Sequence, residues 1–173
     1  MITETSTKDE LFTAINQTLS EMVGLTSLLD ENKINSIPYK DSWTAGQLIR
    51  HVTKSTNEMA KAMSMESKPA KRDPGEKILH LKKVFLDFSN KIKSPDFIVP
   101  EDGPYKKQTS IDEINKSFEQ FKDSTNNANL NDILEGLPLG EITKLEALHF
   151  VLYHTQRHLQ QMKKICDTLK IQE

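Results

Sequence analysis

The sequence of 173 residues holds one cysteine, Cys166. An internal disulfide is therefore impossible, and so sparing a use of thiols fits a reducing compartment. Glycine and proline are few, six and seven, and fall mostly between helix-periodic stretches; no β-branched run alternates with polar residues. An all-β fold is excluded on those grounds. No apolar run approaches the roughly 20 residues that cross a bilayer, and Met1 to Glu10 lacks the apolar core of a secretory signal. A basic excess is missing too. The net charge is -2 and the lysines are scattered among carboxylates, so neither nucleic acid nor a membrane is an expected partner. What remains is one cytoplasmic, all-α domain over residues 1–173, without internal repeats or low-complexity tracts.

Helix signals are plentiful. Thr7 and Glu10 form a capping box ahead of Leu11, Ile15, Leu19, Met22, Leu25 and Leu29, which recur at threes and fours. Thr44 and Gln47 box a second helix, with Trp43 just outside it as a hydrophobic staple for Leu48 rather than a platform for substrate. Its inner stripe is Leu48, Val52, Ser55, Met59 and Met63. Asp73, Pro74 and Glu76 predict a third helix, whose inner face is Ile78, Leu81, Phe85, Phe88 and Ile92. After a proline-rich loop, Ser110 and Glu113 open a fourth with Ile111, Ile114, Phe118 and Phe121. Thr143 and Glu146 box the last helix, whose seam from Leu145 through Leu148, Leu152, Thr155, Leu159, Met162 and Cys166 to Leu169 belongs in a bundle. Cys166 on that seam reads as a small buried hydrophobe.

Helical geometry sorts the five histidines. At about 100° per residue from Leu148, His158 lies at about -80°, on the apolar flank of the seam, and His154 at about -120°, at the edge of that flank. His149 falls on the opposite side and is expected in solvent; His80 shares a flank with Lys77 and Asp87. On the second helix, His51 sits about 60° from Leu48, toward the interior. His154 and His158 are one helical turn apart, a spacing that lets two imidazoles reach one cation. Such pairs also arise by chance. An inward histidine on a facing helix strengthens the metal reading, because a buried ionisable group needs a partner. Three protein ligands leave a position open for water or substrate, as catalytic zinc sites do. Phe150 and Tyr153 lie off the seam near Arg157, so that surface is expected to be covered, by the third helix or by a second subunit in a homodimer.

Two stretches carry a wider likeness. Trp43-Thr44-Ala45-Gly46-Gln47-Leu48-Ile49-Arg50-His51 reads W-T-x-x-Q-L-I-x-H. Pro138-Leu139-Gly140 and Thr143 precede His154-Thr155-Gln156-Arg157-His158-Leu159-Gln160-Gln161-Met162, which reads H-x-x-x-H-x-x-Q-[LIM]. In order and context the two resemble the second-helix and final-helix motifs of the DinB-like superfamily, which includes YfiT-type metal-dependent hydrolases and bacillithiol S-transferases. The resemblance implies a four-helix bundle, up-down-down-up with a long crossover, in which the helix from Pro74 to Ile92 is an addition. It implies that His51, His154 and His158 bind one divalent metal, zinc or nickel, and that dimers form. It also implies transfer of a low-molecular-weight thiol to a small electrophilic substrate. Metal-dependent hydrolysis and a non-catalytic, stress-related module are the alternatives the same residues leave open. Gln161 matches the motif's trailing glutamine and is a candidate to orient a ligand imidazole. Glu58, on the His51 flank but about 10 Å along the axis, is a second candidate outer carboxylate.

Overall fold

The three capping boxes all form, and each starts a long helix. Thr7 opens α1 (Lys8–Ser27), Thr44 opens α2 (Ala45–Met63) and Thr143 opens α5 (Lys144–Thr168). In each, the threonine side chain accepts from the backbone of the third helical residue, whose own side chain reaches back to the threonine N–H. Two further helices, α3 (Ile78–Leu86) and α4 (Lys107–Asn126), two short 3-10 turns, Lys33–Asn35 and Asp96–Ile98, and three short strands, β1 (Lys68–Pro69), β2 (Asp132–Leu134) and β3 (Ile142–Thr143), complete the described residues. This computed structural model describes residues 1–169; the end of the expected domain, 170–173, lies outside the described residues.

Four of the helices make an all-α bundle in the expected order. α1 lies against α5 and α4, and α2 lies against α4 and α5. Contacts at their ends fix the directions. Lys8 on the first turn of α1 donates to the carbonyl of Asn126 at the end of α4, and Lys107 on the first turn of α4 donates to Ser27 at the end of α1, so these two run antiparallel. Lys144 at the start of α5 donates to the Met65 carbonyl just past α2, so that pair is antiparallel as well. α2 and α4 begin side by side, with Arg50 on Glu113. The bundle is therefore up-down-down-up, and the parallel α2 and α4 require a long return between them. Its core is filled by Leu11, Ile15, Met22, Leu48, Ile114, Phe121, Leu148 and Leu152, all fully or almost fully buried.

The α2–α4 return and the α4–α5 connection carry the additions. β1 pairs antiparallel with β2, and β2 with β3, in a small sheet that the helix-periodic pattern does not show. α3 is shorter than the expected Asp73 to Ile92. At its front, the Asp73 carboxylate takes the Gly75 N–H and the Lys77 N–H goes to the Glu146 carboxylate, so neither group enters a helical ladder. At its back, the Asp87 carboxylate captures the Ser89 N–H and the Asn90 side chain, closing the helix. Phe88 and Ile92 consequently sit outside the core, 52% and 39% exposed. α4 starts four residues earlier than the Ser110–Glu113 box predicts. Glu113 is drawn to Arg50, Ser110 bonds back to the Lys106 carbonyl, and Glu31 from the α1–α2 connection caps the Lys107 N–H.

α3 packs against α5, with the Phe85 and Phe150 rings edge to face at 5.0 Å. Phe150 and Tyr153 are buried within the chain, so the covered surface predicted for them is supplied by the chain itself. His149, expected in solvent, is fully buried instead, with its Nδ1 3.2 Å from the Tyr153 hydroxyl. The helical wheel placed it correctly away from the seam; the added crossover turned that outer side into an inner one. His80 is exposed as expected.

Candidate metal centre

His51 stands in the second turn of α2, and His154 and His158 stand one turn apart in the middle of α5. Because α2 and α5 are antiparallel neighbours, the three rings meet between them, and all three residues are buried. The Nε2 atoms of His51 and His158 each lie 3.2 Å from the Nε2 of His154. One ligand atom from each residue falls within 4.8 Å of the others, and no fourth histidine, cysteine or carboxylate joins the group among the described residues.

The outer nitrogens settle which inner ones carry lone pairs. His51 Nδ1 lies 2.9 Å from the Ile98 carbonyl, which only accepts, so Nδ1 holds the proton and Nε2 is free. His158 Nδ1 lies 3.1 Å from Gln161 Oε1, with the same consequence. Two lone pairs thus point at one His154 Nε2, whose single proton could satisfy only one of them. A cation would satisfy all three. Two imidazole nitrogens at about 2.0–2.1 Å from a tetrahedral ion stand about 3.3–3.4 Å apart, close to the spacing found here. Imidazoles oriented by a carbonyl or amide on the far nitrogen are the usual support of a metal ligand. The residues present fit a divalent ion.

Burial also keeps the rings neutral. It lowers the His51 pKa, drives that of His154 well below the ordinary value with help from the neighbouring His158 and His51, and brings that of His158 to about 3. A neutral imidazole is the metal-binding form, so no proton need be displaced near neutral pH. Aromatic rings close the surroundings. Trp43 lies 4.8 Å from the His51 ring, and Phe150 and Phe85 lie 5.2 and 6.1 Å from that of His154.

Gln161 is placed where the motif implied, on His158. Glu58 is not: its carboxylate is 43% exposed and pairs with Lys61 at 2.6 Å. A helix carboxylate with a cation three residues on finds that partner locally. The Ile98 carbonyl and the Trp43 ring were missed as supports of His51. A backbone acceptor leaves no mark in a sequence, whereas Trp43, eight positions before His51, was legible as a neighbour only once the entry of α2 was known. Two surface clefts of about 520 and 420 Å³ open between α1 and α5 on the Gln156 side, and none of the three histidines lines them.

A family model described as the DinB superfamily matches residues 14–162. The chain belongs to the DinB superfamily. No curated protein and no solved structure gave a match. The DinB match runs from within α1 into α5 and so includes all three histidines together with the crossover between them. No helix among the described residues is long and apolar enough to cross a membrane.

Proposed function

We propose that this DinB protein holds one divalent metal ion, zinc or nickel, on His51, His154 and His158, and transfers a low-molecular-weight thiol to a small electrophile. The observation that carries the reading is the convergence of three neutral, buried imidazoles, two with their lone pairs aimed at the third. Three protein ligands leave a coordination position for an exogenous group. A metal bound there would favour the thiolate form of a thiol, which is the nucleophile.

The chain's own part is orientation and exclusion of water. Ile98 and Gln161 hold the Nδ1 protons of His51 and His158, leaving Nε2 free on each. Phe85 and Phe150 shield His154 from behind, and Trp43 borders His51.

Metal analysis of untagged protein tests the first half. About one equivalent is expected in the wild type and none in His154→Ala, with the helical signal kept in both. A wild-type protein that stays metal-free after incubation with zinc or nickel would sink the reading. Thiol consumption with an alkylating electrophile tests the second half, and product release by the loaded protein without thiol would assign it to hydrolysis.

A further inference from the structure

His51 differs from the other two ligands in what supports it. The segment from Asp96 to Tyr105 lies along α2 as a strap and touches it at Gly46, Arg50, His51 and Lys54. His51 Nδ1 donates to the Ile98 carbonyl at 2.9 Å, and Lys54 Nζ, one turn on, donates to the Val99 carbonyl at 2.8 Å. Glu101 then closes the strap. Its carboxylate accepts from Lys54 Nζ at 3.0 Å and from Arg50 Nε at 2.9 Å, the two residues that flank His51 on α2. The far end is pinned by Tyr105, whose hydroxyl donates to the Glu101 carbonyl and whose ring lies on Gly46. Bonds from Arg50, from the backbone and from Lys54 pull the Glu101 carboxyl down to about 2, so it stays charged and engaged.

Glu101 is 55% exposed at its side chain, and ion pairs of that kind contribute little to global stability. Its position matters for another reason. The Ile98 carbonyl ends a short 3-10 turn, Asp96–Ile98, outside the long helices and the sheet; that turn and the clamp at Glu101 hold it in place.

We infer that Glu101 is a positioning residue for the metal centre: by clamping residues 98–101 to Arg50 and Lys54, it keeps the Ile98 carbonyl on His51 Nδ1, fixes the Nδ1–H tautomer and aims Nε2 at His154 and His158. The consequence for metal affinity rests on the proposed function, but the tautomer is measurable without any metal.

The test uses the full-length untagged chain with Glu101→Ala, Glu101→Gln and Lys54→Met. Long-range proton–nitrogen spectra of metal-free protein at pH 8 read the His51 tautomer. Titration with cobalt(II) against a chelator reads affinity, and its visible absorption reads geometry. The wild type should show a single Nδ1–H form for His51. Glu101→Ala should show mixed tautomers and a cobalt Kd raised about tenfold, the lower end of what outer supports of metal ligands contribute. Its melting temperature should change little. Glu101→Gln, which keeps one acceptor, should fall between. Unchanged tautomer in both Glu101→Ala and Lys54→Met overturns the inference, whatever the affinity does. If the tautomer responds while the wild type takes up no cobalt, the positioning stands and the metal reading falls.

Discussion

Replacing Glu146 by alanine would strip four hydrogen bonds from one buried carboxylate: two from the Arg72 guanidinium at 2.7 Å each, one from the Lys77 N–H at 2.7 Å and one from the Thr143 N–H at 2.8 Å. The capping box of α5 was legible from the sequence; the capture of Arg72 and Lys77 from the crossover was not, because nothing local links residues so far apart. Removing one partner of such a pair leaves the other uncompensated, so Glu146→Ala is expected to cost about 3 kcal/mol in urea unfolding. Burial alone would raise the Glu146 carboxyl, yet its hydrogen bonds hold it below the ordinary value. Its contribution is therefore present above the unfolded carboxylate pKa and lost as pH falls through the lower folded one. His149 acts at milder acidity. Burial lowers its pKa from 6.5 to about 4, and its Nε2 has no hydrogen-bond partner among the described residues. Between those values the unfolded chain binds the proton and the folded chain does not, so stability falls as pH drops through that window and the loss levels off below about 4. Urea midpoints of metal-loaded protein at pH 7, 5.5 and 4 check this, with a shallower decline expected for His149→Phe.

Helix starts were the most readable elements. Threonine boxes at Thr7, Thr44 and Thr143 act through neighbours three residues away and hold whatever the tertiary structure does. The Ser110–Glu113 pattern failed because Arg50 competes for the carboxylate. The end of α3 was misread for a similar reason. Arg157 on α5 donates to the carbonyls of Phe85, Asp87 and Asn90, so the last turn is finished by another helix. Arg157→Met is expected to speed amide exchange by roughly tenfold over residues 84–90, a local opening that leaves the interior of α2 protected. At the start of α2, a Cβ on Gly46 would sit 2.8 Å from three atoms of the Tyr105 side chain. Gly46→Ala should therefore forfeit the helix-propensity gain of about 1 kcal/mol and lower stability by about 1–3 kcal/mol, as overpacking does. A Tm rise instead would show that Tyr105 moves aside freely.

The bundle order was visible through motif resemblance and agrees with the contacts between helix ends, whereas periodicity alone shows which face is buried and never against what. His51 and the His154–His158 pair were each placed inward by the wheel; that they meet depends on α2 and α5 being antiparallel neighbours. An ion held only by the folded state adds stability by mass action, about 2.7 kcal/mol at a hundred times Kd. Saturating zinc should thus raise the melting temperature of the wild type and leave His154→Ala unmoved, which scanning calorimetry with and without metal would show. The His51 and His154 contact joins residues 103 positions apart. A chain emerging from the ribosome at about 5–20 residues per second therefore carries an unpartnered His51 for about 5–20 seconds before its last helix is made. Loading with metal would be an event of the finished molecule, and a message cut short between the codons for His51 and His154 yields a product with one histidine of the three.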